Sequence, residues 1–541
     1  MRAHVANPTC LSIEEAFAFA CRLRGDPTGM NDPGAGDARS DATWQVKVYD
    51  GGRRLPLAGA LPWWAQSPPV RGDAMLRQLG ELLFDAVGVC RVRWRPGGAD
   101  LSSPQHPELV WRGAQLSARR PVPSGGAMYP TEIYVAVVSG PVGTTVFHYD
   151  PARHELTDLA HPSPAAAILA ALNQEDTRSL SPLALILTHR FCKNLHKYRN
   201  FAYRLGAVDV GVALGRLFDC GLRTFGRAEV RIDFDDLALN AMCGINGQDE
   251  SAYAVIFLGA PQFLPGKIGK PELPAPPSVV ERGDSARASS LFAAMHTAAC
   301  RVPKPLVDHK EFTPSQAGKL PENGPPPNQE VVFLPTPRID RRVERRDLLR
   351  RTSNGAWFTG APLGSDVLAT VLHGVNEDVG MLLKFCPDAD LPVIHLYCAV
   401  DRVVGVRPGL YRYTPDSHVL VPVGARGAIS PAVELQRALY AATVDLERSA
   451  FSLHIATVID FRSDRRGARA YRVQQLFVGA AIDAAARWST AMGAGNHPLH
   501  GFNAHRIDEL YGLTGAPFGV QAQISIGDVR PAGMLEGSVV A

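Results

Sequence analysis

The sequence predicts an α+β protein whose structural unit occurs twice along one chain. Similar segments recur 264 to 268 positions apart, each copy mixes strand-like and helix-like patterns, and a proline-rich stretch separates the copies. Self-similarity at a fixed offset is the sequence signature of a repeated structural unit. We therefore expect two tandem domains of one fold, each with an antiparallel-rich sheet flanked by helices.

The repeat is clearest in two blocks of residues. FHYDPARHEL (147–156) resembles YRYTPDSHVL (411–420), and the stretch 201–222 resembles 469–490. The offset of 268 in the second block also relates three further pairs, Phe234 to Phe502, Gly244 to Gly512 and Gly259 to Gly527. A constant offset over this length favours duplication over chance.

Each copy shows the same order of elements. Two alternating strands come first, EIYVAVVSG and TTVFHYD in the first copy. A long alanine-rich helix is expected at about 203–220 and again at 471–490. A short acidic helix follows at 234–243 or 502–511, ended by a glycine, and an apolar strand closes the copy.

Composition divides the chain further. Residues 71–265 and 346–541 hold the two copies, and residues 266–345 form a proline-rich linker. Such a composition favours extended, semi-rigid chain. Helical spacing at 288–299 predicts one helix inside the linker, and the alternating charges of 338–351 predict a solvated helix.

Residues 1–70 are expected to form an N-terminal arm whose role stays open. Residues 26–41 have the composition of a loop, and residues 44–59 that of a hairpin or an extended segment. Residues 1–23 lack a long apolar core, so no signal peptide is expected.

Composition also excludes several classes of protein. The chain has 56 Lys+Arg against 53 Asp+Glu, a net charge of +3 that is too balanced for a nucleic-acid binder. Its nine cysteines form no CxxC pair, so neither a disulfide framework nor a metal site is expected. No apolar run reaches the roughly 18 residues of a membrane helix. We expect a cytoplasmic protein without membrane or nucleic-acid partners.

Two motifs resemble a known family. RRPVPSGGAMYPTEIYVAVV (119–138) resembles the signature of the nitroreductase-like flavin oxidases. KYRNFAYRLGAVDVGVALG (197–215) resembles the Lys-Tyr motif and long helix of the SagB/ThcOx/McbC type, the azoline dehydrogenases. Members of the wider family are homodimers that bind FMN at the subunit interface. The resemblance implies two nitroreductase-like domains that form an intramolecular pseudo-dimer, which leaves a monomeric state open.

For the first copy, the resemblance implies the binding surface of the flavin ring. In Pro123-Ser124-Gly125-Gly126, the two glycines let the backbone approach a flat ring, and Ser124 offers a hydroxyl donor. The second copy has no such motif. A plain turn is the structural alternative.

For the second copy, the resemblance implies phosphate ligands. Arg351 and Ser353 match the Arg-x-Ser motif of the family, and Arg530 matches a basic ligand after the last strand. Gly355 departs from the family pattern, where a second basic residue is common, and Arg350 is a candidate to compensate. The alternative is a basic helix end without a ligand.

The same copy is implied to contact the N5 edge of the flavin. This part of the site comprises Leu499, His500 and Gly501, where a glycine backbone N–H faces N5 in the family. The first copy has Asp233 at the position of Gly501. Because each copy keeps what the other has lost, we expect one working FMN site and one decayed site per chain.

Lys197 and Tyr198 are the candidate catalytic residues. A lysine shielded from water has a lowered pKa and acts as a base, and Tyr198 relays the proton or holds the substrate. The second copy has Arg465 and Arg466 instead, and arginine stays protonated. The alternative is a surface loop.

The resulting hypothesis is an FMN-dependent oxidase that converts thiazolines or oxazolines to thiazoles or oxazoles, with oxygen reoxidising the flavin. Its substrate would be a peptide or a carrier-protein-bound intermediate, supplied by a cyclodehydratase or a synthetase partner. Two alternatives remain open: an NAD(P)H-dependent nitro- or quinone reductase, and a non-catalytic docking subunit of a peptide-modifying complex.

Overall fold

The computed structural model describes residues 10–25, 46–57, 74–95, 98–99, 111–112, 115–139, 143–172, 179–263, 277–280, 288–300, 331–339, 343–353, 355–388, 391–424, 430–441, 444–530 and 535–538. The loop expected at 26–41 lies outside these residues, as does most of the proline-rich linker.

The N-terminal arm and the first half form the elements α1 (Ile13–Gly25), β1 (Val48–Asp50), β2 (Arg54–Pro56), α2 (Ala74–Val87), β3 (Arg91–Arg95), β4 (Gly98–Ala99), β5 (Trp111–Arg112), β6 (Gln115–Arg119), β7 (Thr131–Val137), β8 (Thr145–Asp150), β9 (Glu155–Asp158), α3 (Pro164–Ala171), β10 (Ser179–Leu180), β11 (Leu183–Arg190), α4 (Cys192–Tyr198), α5 (Phe201–Phe225), β12 (Ala228–Arg231), α6 (Asp236–Met242), β13 (Glu250–Leu258) and β14 (Gln262–Phe263).

The linker and the second half form β15 (Ser278–Val280), α7 (Ser290–Ala299), β16 (Val332–Phe333), α8 (Arg345–Arg350), α9 (Ser365–Lys384), β17 (His395–Val400), β18 (Gly409–Thr414), β19 (Val419–Pro422), α10 (Pro431–Ala438), β20 (Phe451–Val458), α11 (Arg469–Ala491), β21 (Gly495–Leu499), α12 (Ala504–Tyr511), β22 (Phe518–Gly527) and β23 (Leu535–Ser538).

The two halves contain seven-stranded antiparallel sheets with one strand order. The first runs β12-β13-β11-β7-β8-β9-β2, and the second runs β21-β22-β20-β17-β18-β19-β16. Even the irregularity recurs, because the register shifts after Leu187 in β11 and after Ile455 in β20, 268 residues later. The predicted α+β fold and its duplication are confirmed.

The long helices α5 and α11 pack against each other between the sheets, and one apolar core extends through both halves. Tyr203 and Tyr471, equivalent in the repeat, stack with ring centroids 6.4 Å apart and planes inclined by 6°. Arg216 pairs with Asp483 at 2.9 Å, and both side chains are fully buried. The helices α5 and α11 therefore form the axis of the pseudo-dimer.

Segments at both ends of the chain cross to the other half. Helix α1 contacts α12, and Arg24 forms an ion pair with Asp508 and donates to the Val520 carbonyl at 3.0 Å. Strand β23 pairs with β3 of the first half. Strands β1 and β2 join different partners, β15 and β9, so the described residues 46–57 form an extended segment, the second of the two predicted alternatives, and not a hairpin.

The linker predictions are confirmed in part. Helix α7 forms where the helical spacing predicts it. Within the described residues of the charge run 338–351, the short helix α8 is the one helix, and Leu348 and Arg351 are buried, so this part of the run is not a fully solvated helix. No helix in the described ranges is long and apolar enough to cross a membrane.

Candidate active site

A cavity of about 830 Å³ lies between the two halves, and both halves supply its walls. The first half contributes the loop 123–129, Lys197 and one face of α5. The second half contributes residues 351–353 and Ile482, together with His497, Pro498 and His500. The structure thus brings the predicted ring-binding loop 123–126, the Arg-x-Ser motif and Lys197 together around one cavity.

The loop 123–129 has an unusual backbone. Gly126, Ala127 and Tyr129 have φ angles of 59°, 57° and 48°. Non-glycine residues rarely adopt this left-handed region, and such strain tends to be retained at functional sites. The loop is held by side-chain bonds, because the Tyr129 N–H donates to Ser124 Oγ at 2.9 Å and Ser124 Oγ donates to Asp209 at 2.7 Å.

This arrangement changes the interpretation of Ser124. Its hydroxyl hydrogen is donated to Asp209, and its oxygen accepts the Tyr129 N–H. The expectation that Ser124 offers a free hydroxyl donor therefore does not fit the structure. Ser124 instead fixes the loop, while Gly125 and Gly126 keep their backbone open to the cavity.

Gly126 lies directly beside the predicted catalytic pair. A Cβ atom at this position would lie 2.5 Å from Tyr198 Oη and 2.8 Å from Lys197 Nζ. Any side chain would therefore displace both residues. The absence of a side chain at Gly126 is what lets Lys197 and Tyr198 approach the loop.

Lys197 and Tyr198 are the last two residues of helix α4. Arg199 follows with a φ of 46°, which ends the helix before α5 begins. The Lys197 amine is exposed at the cavity, 5.1 Å from the centre of the Tyr198 ring. Partial burial by surrounding protein lowers the pKa of Lys197. Burial, together with the charge of Asp209, raises the pKa of Tyr198 to about 12, so its phenol stays protonated near neutral pH.

Lys193, one turn earlier in α4, has a different environment. Its buried amine donates to the Tyr129 carbonyl at 2.8 Å and to Glu132 at 3.0 Å. Burial lowers the pKa of Lys193 to about 8. Because Lys193 does not line the cavity and its amine bonds to the Tyr129 carbonyl, it stabilises the loop 123–129 from the side that faces the protein interior.

Arg351 and Ser353 occupy the second-half side of the cavity. Arg351 Nε donates to the Pro121 carbonyl at 2.6 Å, and Nη1 lies 3.4 Å from Ser353 Oγ. Burial lowers the pKa of Arg351 to about 10, which still leaves it cationic at neutral pH. The Ser353 backbone is positioned by a β-bridge to Asn496 in β21.

Three further arginines that line the cavity come from the first half: Arg119 of β6 and two residues of β3, Arg91 and Arg93. Arg91 in β3 donates to the carbonyls of Arg350 and Arg351, and Arg93 donates to Thr352 Oγ1 at 3.4 Å. Both line the cavity, whereas the Arg350 side chain is exposed and does not. Arg350 therefore does not reach the cavity, and the basic side chains beside Arg351 there are Arg91 and Arg93 of β3. The alternation RVRWR is a signal that sequence reasoning missed.

The departure at Gly355 has a steric cause. A Cβ atom there would lie 2.6 Å from Val444 and 2.8 Å from His497, so no basic side chain fits. The Gly355 N–H donates to His497 Nδ1 at 3.1 Å. Burial and the nearby charge of Arg351 lower the pKa of His497 to about 4, so this ring stays neutral.

Of the remaining residues predicted in the second half, the structure places one in the cavity lining and three outside it. His500 lines the cavity, and burial lowers its pKa to about 3. Leu499 is buried in the apolar core, and Gly501 is exposed with nothing within 4 Å of its Cβ position. Arg530 is exposed outside the cavity lining, and its backbone N–H donates to the Trp357 carbonyl at 3.3 Å.

The position related to this cavity by the repeat is filled. The segment 385–388 takes the place of the PSGG motif and bonds directly to the end of β12. Asp388 accepts from the N–H groups of Ile232 and Asp233 at 2.6 and 3.1 Å. Arg466, at the position of Tyr198, pairs with Asp464 at 2.8 Å. In the described residues, the segment 385–388 and the end of β12 are thus joined directly by hydrogen bonds, whereas the PSGG loop and His500 line the open cavity.

Comparison of structures shows the fold. A proposed nitroreductase of Anabaena variabilis matches with a TM-score of 0.70 and 20% sequence identity, over 95% of this chain and 99% of that one. The chain has the nitroreductase fold. Because the match spans nearly all of both chains, it includes both halves.

The sequence comparison adds a relative. A stretch of 102 residues is 34% identical to McbC, the microcin B17-processing protein of Escherichia coli. It covers 18% of this chain and 37% of McbC, so the match spans little more than a third of that relative. No protein-family model matches the chain. The resemblance to a nitroreductase-like protein of the McbC type is confirmed.

A second solved structure is also similar, the microcin synthetase McbBCD complex of E. coli with truncated pro-MccB17 bound. It covers 40% of this chain and 87% of that chain, at 18% identity and a TM-score of 0.28.

Proposed function

We propose that the protein is an FMN-dependent oxidase that converts thiazoline or oxazoline rings to thiazoles or oxazoles on a peptide. The observation that carries this proposal is the cavity itself. It unites the glycine loop and Lys197 of the first half with the cationic Arg351 motif of the second. Similarity to McbC supports the azoline chemistry.

The lining residues fit FMN. Arg91, Arg93 and Arg351 cluster with Thr352 and Ser353 at one end, a donor set suited to a phosphate. A volume of about 830 Å³ lies within the range of cofactor sites, roughly 300–1,000 Å³.

The part of the cavity wall away from the arginine cluster suits a flat ring. It is formed by the open backbone of Gly125 and Gly126 and by the apolar side chains of Leu205, Val208 and Ile482. The ring would therefore lie against backbone and apolar surface, with its phosphate at the arginine cluster.

The reaction removes two electrons and two protons from the azoline, as a hydride and a proton. FMN, when bound, supplies the acceptor for the hydride. The neutral amine of Lys197 accepts the proton, since its lowered pKa increases the neutral fraction. Tyr198 keeps its own proton and donates a hydrogen bond that orients the ring nitrogen or the lysine.

The similarity to McbC also supports the proposed substrate and partners. A peptide, free or bound to a carrier protein, would present the azoline, and a cyclodehydratase or synthetase would form the ring beforehand. Molecular oxygen would take the electrons from the flavin and leave as hydrogen peroxide. Because the repeat-related position is filled by residues 385–388, one FMN per chain is proposed.

The test uses the purified full chain and its Lys197→Ala variant, reconstituted with FMN. Incubation with a thiazoline peptide in air is expected to yield the thiazole, 2 mass units lighter, and one hydrogen peroxide per ring. The variant should stay yellow and lose this turnover. A colourless protein that takes up no FMN would refute the oxidase, and rapid bleaching by NADPH without azoline turnover would favour the reductase alternative.

A further inference from the structure

Asp209 is the single carboxylate among the described residues that line the cavity. It lies in α5 between Val208 and Val210, and its side chain is buried. A buried acid within an apolar helix face costs free energy unless it is hydrogen-bonded. The second half has Phe477 at the equivalent position, so the acid is present only on the side with the glycine loop.

The hydrogen bonds of Asp209 all go to that loop. One oxygen accepts Ser124 Oγ–H at 2.7 Å, and the other accepts the Gly125 N–H at 3.2 Å. Ser124 Oγ in turn accepts the Tyr129 N–H at 2.9 Å. One carboxylate thereby fixes both ends of the turn 124–129, in which Ala127 and Tyr129 adopt the left-handed region that strains a non-glycine backbone.

We propose that Asp209 is a positioning residue of the flavin site: it holds the loop 124–129 in its strained conformation and places a negative charge in the wall beside it. The proposal rests on the proposed function for its electrostatic part only. A negative charge beside a flavin disfavours the addition of electrons, because the reduced ring is more electron-rich. Asp209 therefore lowers the flavin midpoint potential and favours the return of electrons to oxygen.

The loop-holding role is tested without cofactor by amide hydrogen exchange of the apo full chain. Asp209→Ala is expected to speed exchange of the Gly125 and Tyr129 amides at least tenfold, while the distant core strand β20 keeps its protection. Ser124→Ala, which removes the hydroxyl that joins Asp209 to Tyr129, serves if the Asp209 variant fails to fold, because it should speed exchange of the Tyr129 amide in the same way. Unchanged exchange in the loop would overturn this role.

The electrostatic role is tested with FMN-loaded protein at pH 9. Burial raises the pKa of Asp209 to about 7, so the carboxylate is ionised there. Asp209→Asn is expected to raise the flavin midpoint potential, measured by equilibrium titration against a reference dye. Asp219→Asn is the matched control: it removes a carboxylate from the same helix outside the cavity lining, and should leave the potential at the wild-type value.

An equal potential in wild type and Asp209→Asn would overturn the electrostatic role. A wild-type chain that takes up no FMN would instead refute the proposed function, and the exchange measurement on that same chain would still decide whether Asp209 holds the loop.

Discussion

Gly211 and Gly479, 268 residues apart, face each other's helix where α5 crosses α11. A Cβ atom on Gly211 would lie 2.0 Å from the Leu476 carbonyl oxygen, and one on Gly479 would lie 2.2 Å from the Val208 carbonyl oxygen. Both clashes are with backbone, which cannot rotate away. The closeness of this crossing places Val208 of α5 and Ile482 of α11 in one cavity wall.

Substitution at the crossing should therefore destabilise the whole chain. Gly211→Ala forces two helices apart and is expected to lower the free energy of unfolding by about 1–3 kcal/mol, the usual cost of overpacking. Denaturant unfolding measures it. Gly380→Ala is the matched control in α9, because nothing lies within 4 Å of that Cβ position. It should leave stability unchanged or raise it by up to about 1 kcal/mol through helix propensity. Equal effects of the two variants would contradict the close crossing.

The arginine motif predicts a loss of cofactor affinity. Arg351→Gln removes a buried cation from the cavity, and a hydrogen bond to a charged group contributes about 1.5–3 kcal/mol. FMN binding, followed by flavin fluorescence, is expected to weaken roughly 10- to 150-fold. Arg350→Gln, one residue earlier and exposed, should bind FMN as the wild type does. Equal weakening in both variants would mean that general surface charge, not the Arg351 site, holds the phosphate.

The pH dependence of oxidation follows from Lys197. The amine accepts a proton only when it is neutral, so flavin reduction by the azoline peptide should rise with pH and level off above the pKa of Lys197. Burial lowers that pKa, which shifts the rise to lower pH than for a free lysine. Lys197→Arg should lose the pH-dependent rate by about 10²–10⁴-fold, the usual contribution of a general base. His196→Asn in the same helix is the control, and an identical profile in Lys197→Arg would exclude Lys197 as the base.

Buried histidines predict acid sensitivity of the fold. Burial lowers the pKa of His454 to about 3, while in the unfolded chain it titrates near 6.5. As pH falls from 6.5 towards 3 the unfolded chain takes up a proton that the folded chain refuses, so stability falls. His454→Gln should make the slope of unfolding free energy against pH shallower by up to about 1.4 kcal/mol per pH unit. A slope unchanged by this substitution would place the acid sensitivity elsewhere.

Sequence reasoning recovered the repeat, the α+β unit and the motifs, because each depends on local periodicity or on adjacent residues. The offset of 268 between Tyr203 and Tyr471 can be found by comparing the sequence with itself. In the structure, the two rings stack at the pseudo-dimer axis. The pairing of strands β1 and β2 was harder to predict, since their partners β15 and β9 lie far away in the sequence and leave no local pattern.

The candidate site shows the same limit. Arg91 and Arg93 reach the second-half motif only because β3 is placed there by the pairing of the halves. Asp209 lies in an apolar helix, and its contacts with Ser124 and Gly125, which the sequence does not show, distinguish an acid that holds the loop from a surface acid. Arg530 matched a family position, yet the end of β22 leaves its side chain outside the cavity lining.

The central claim, one flavin site assembled from both halves, is tested most directly by the flavin content of the full chain after saturation with FMN and removal of free cofactor. The measurement compares FMN released by denaturation with chain concentration from amino-acid analysis. One FMN per chain is expected, and either Gly126→Val in the first half or Arg351→Gln in the second should reduce uptake at that same site. A ratio of two, or full uptake by both variants, would contradict the account.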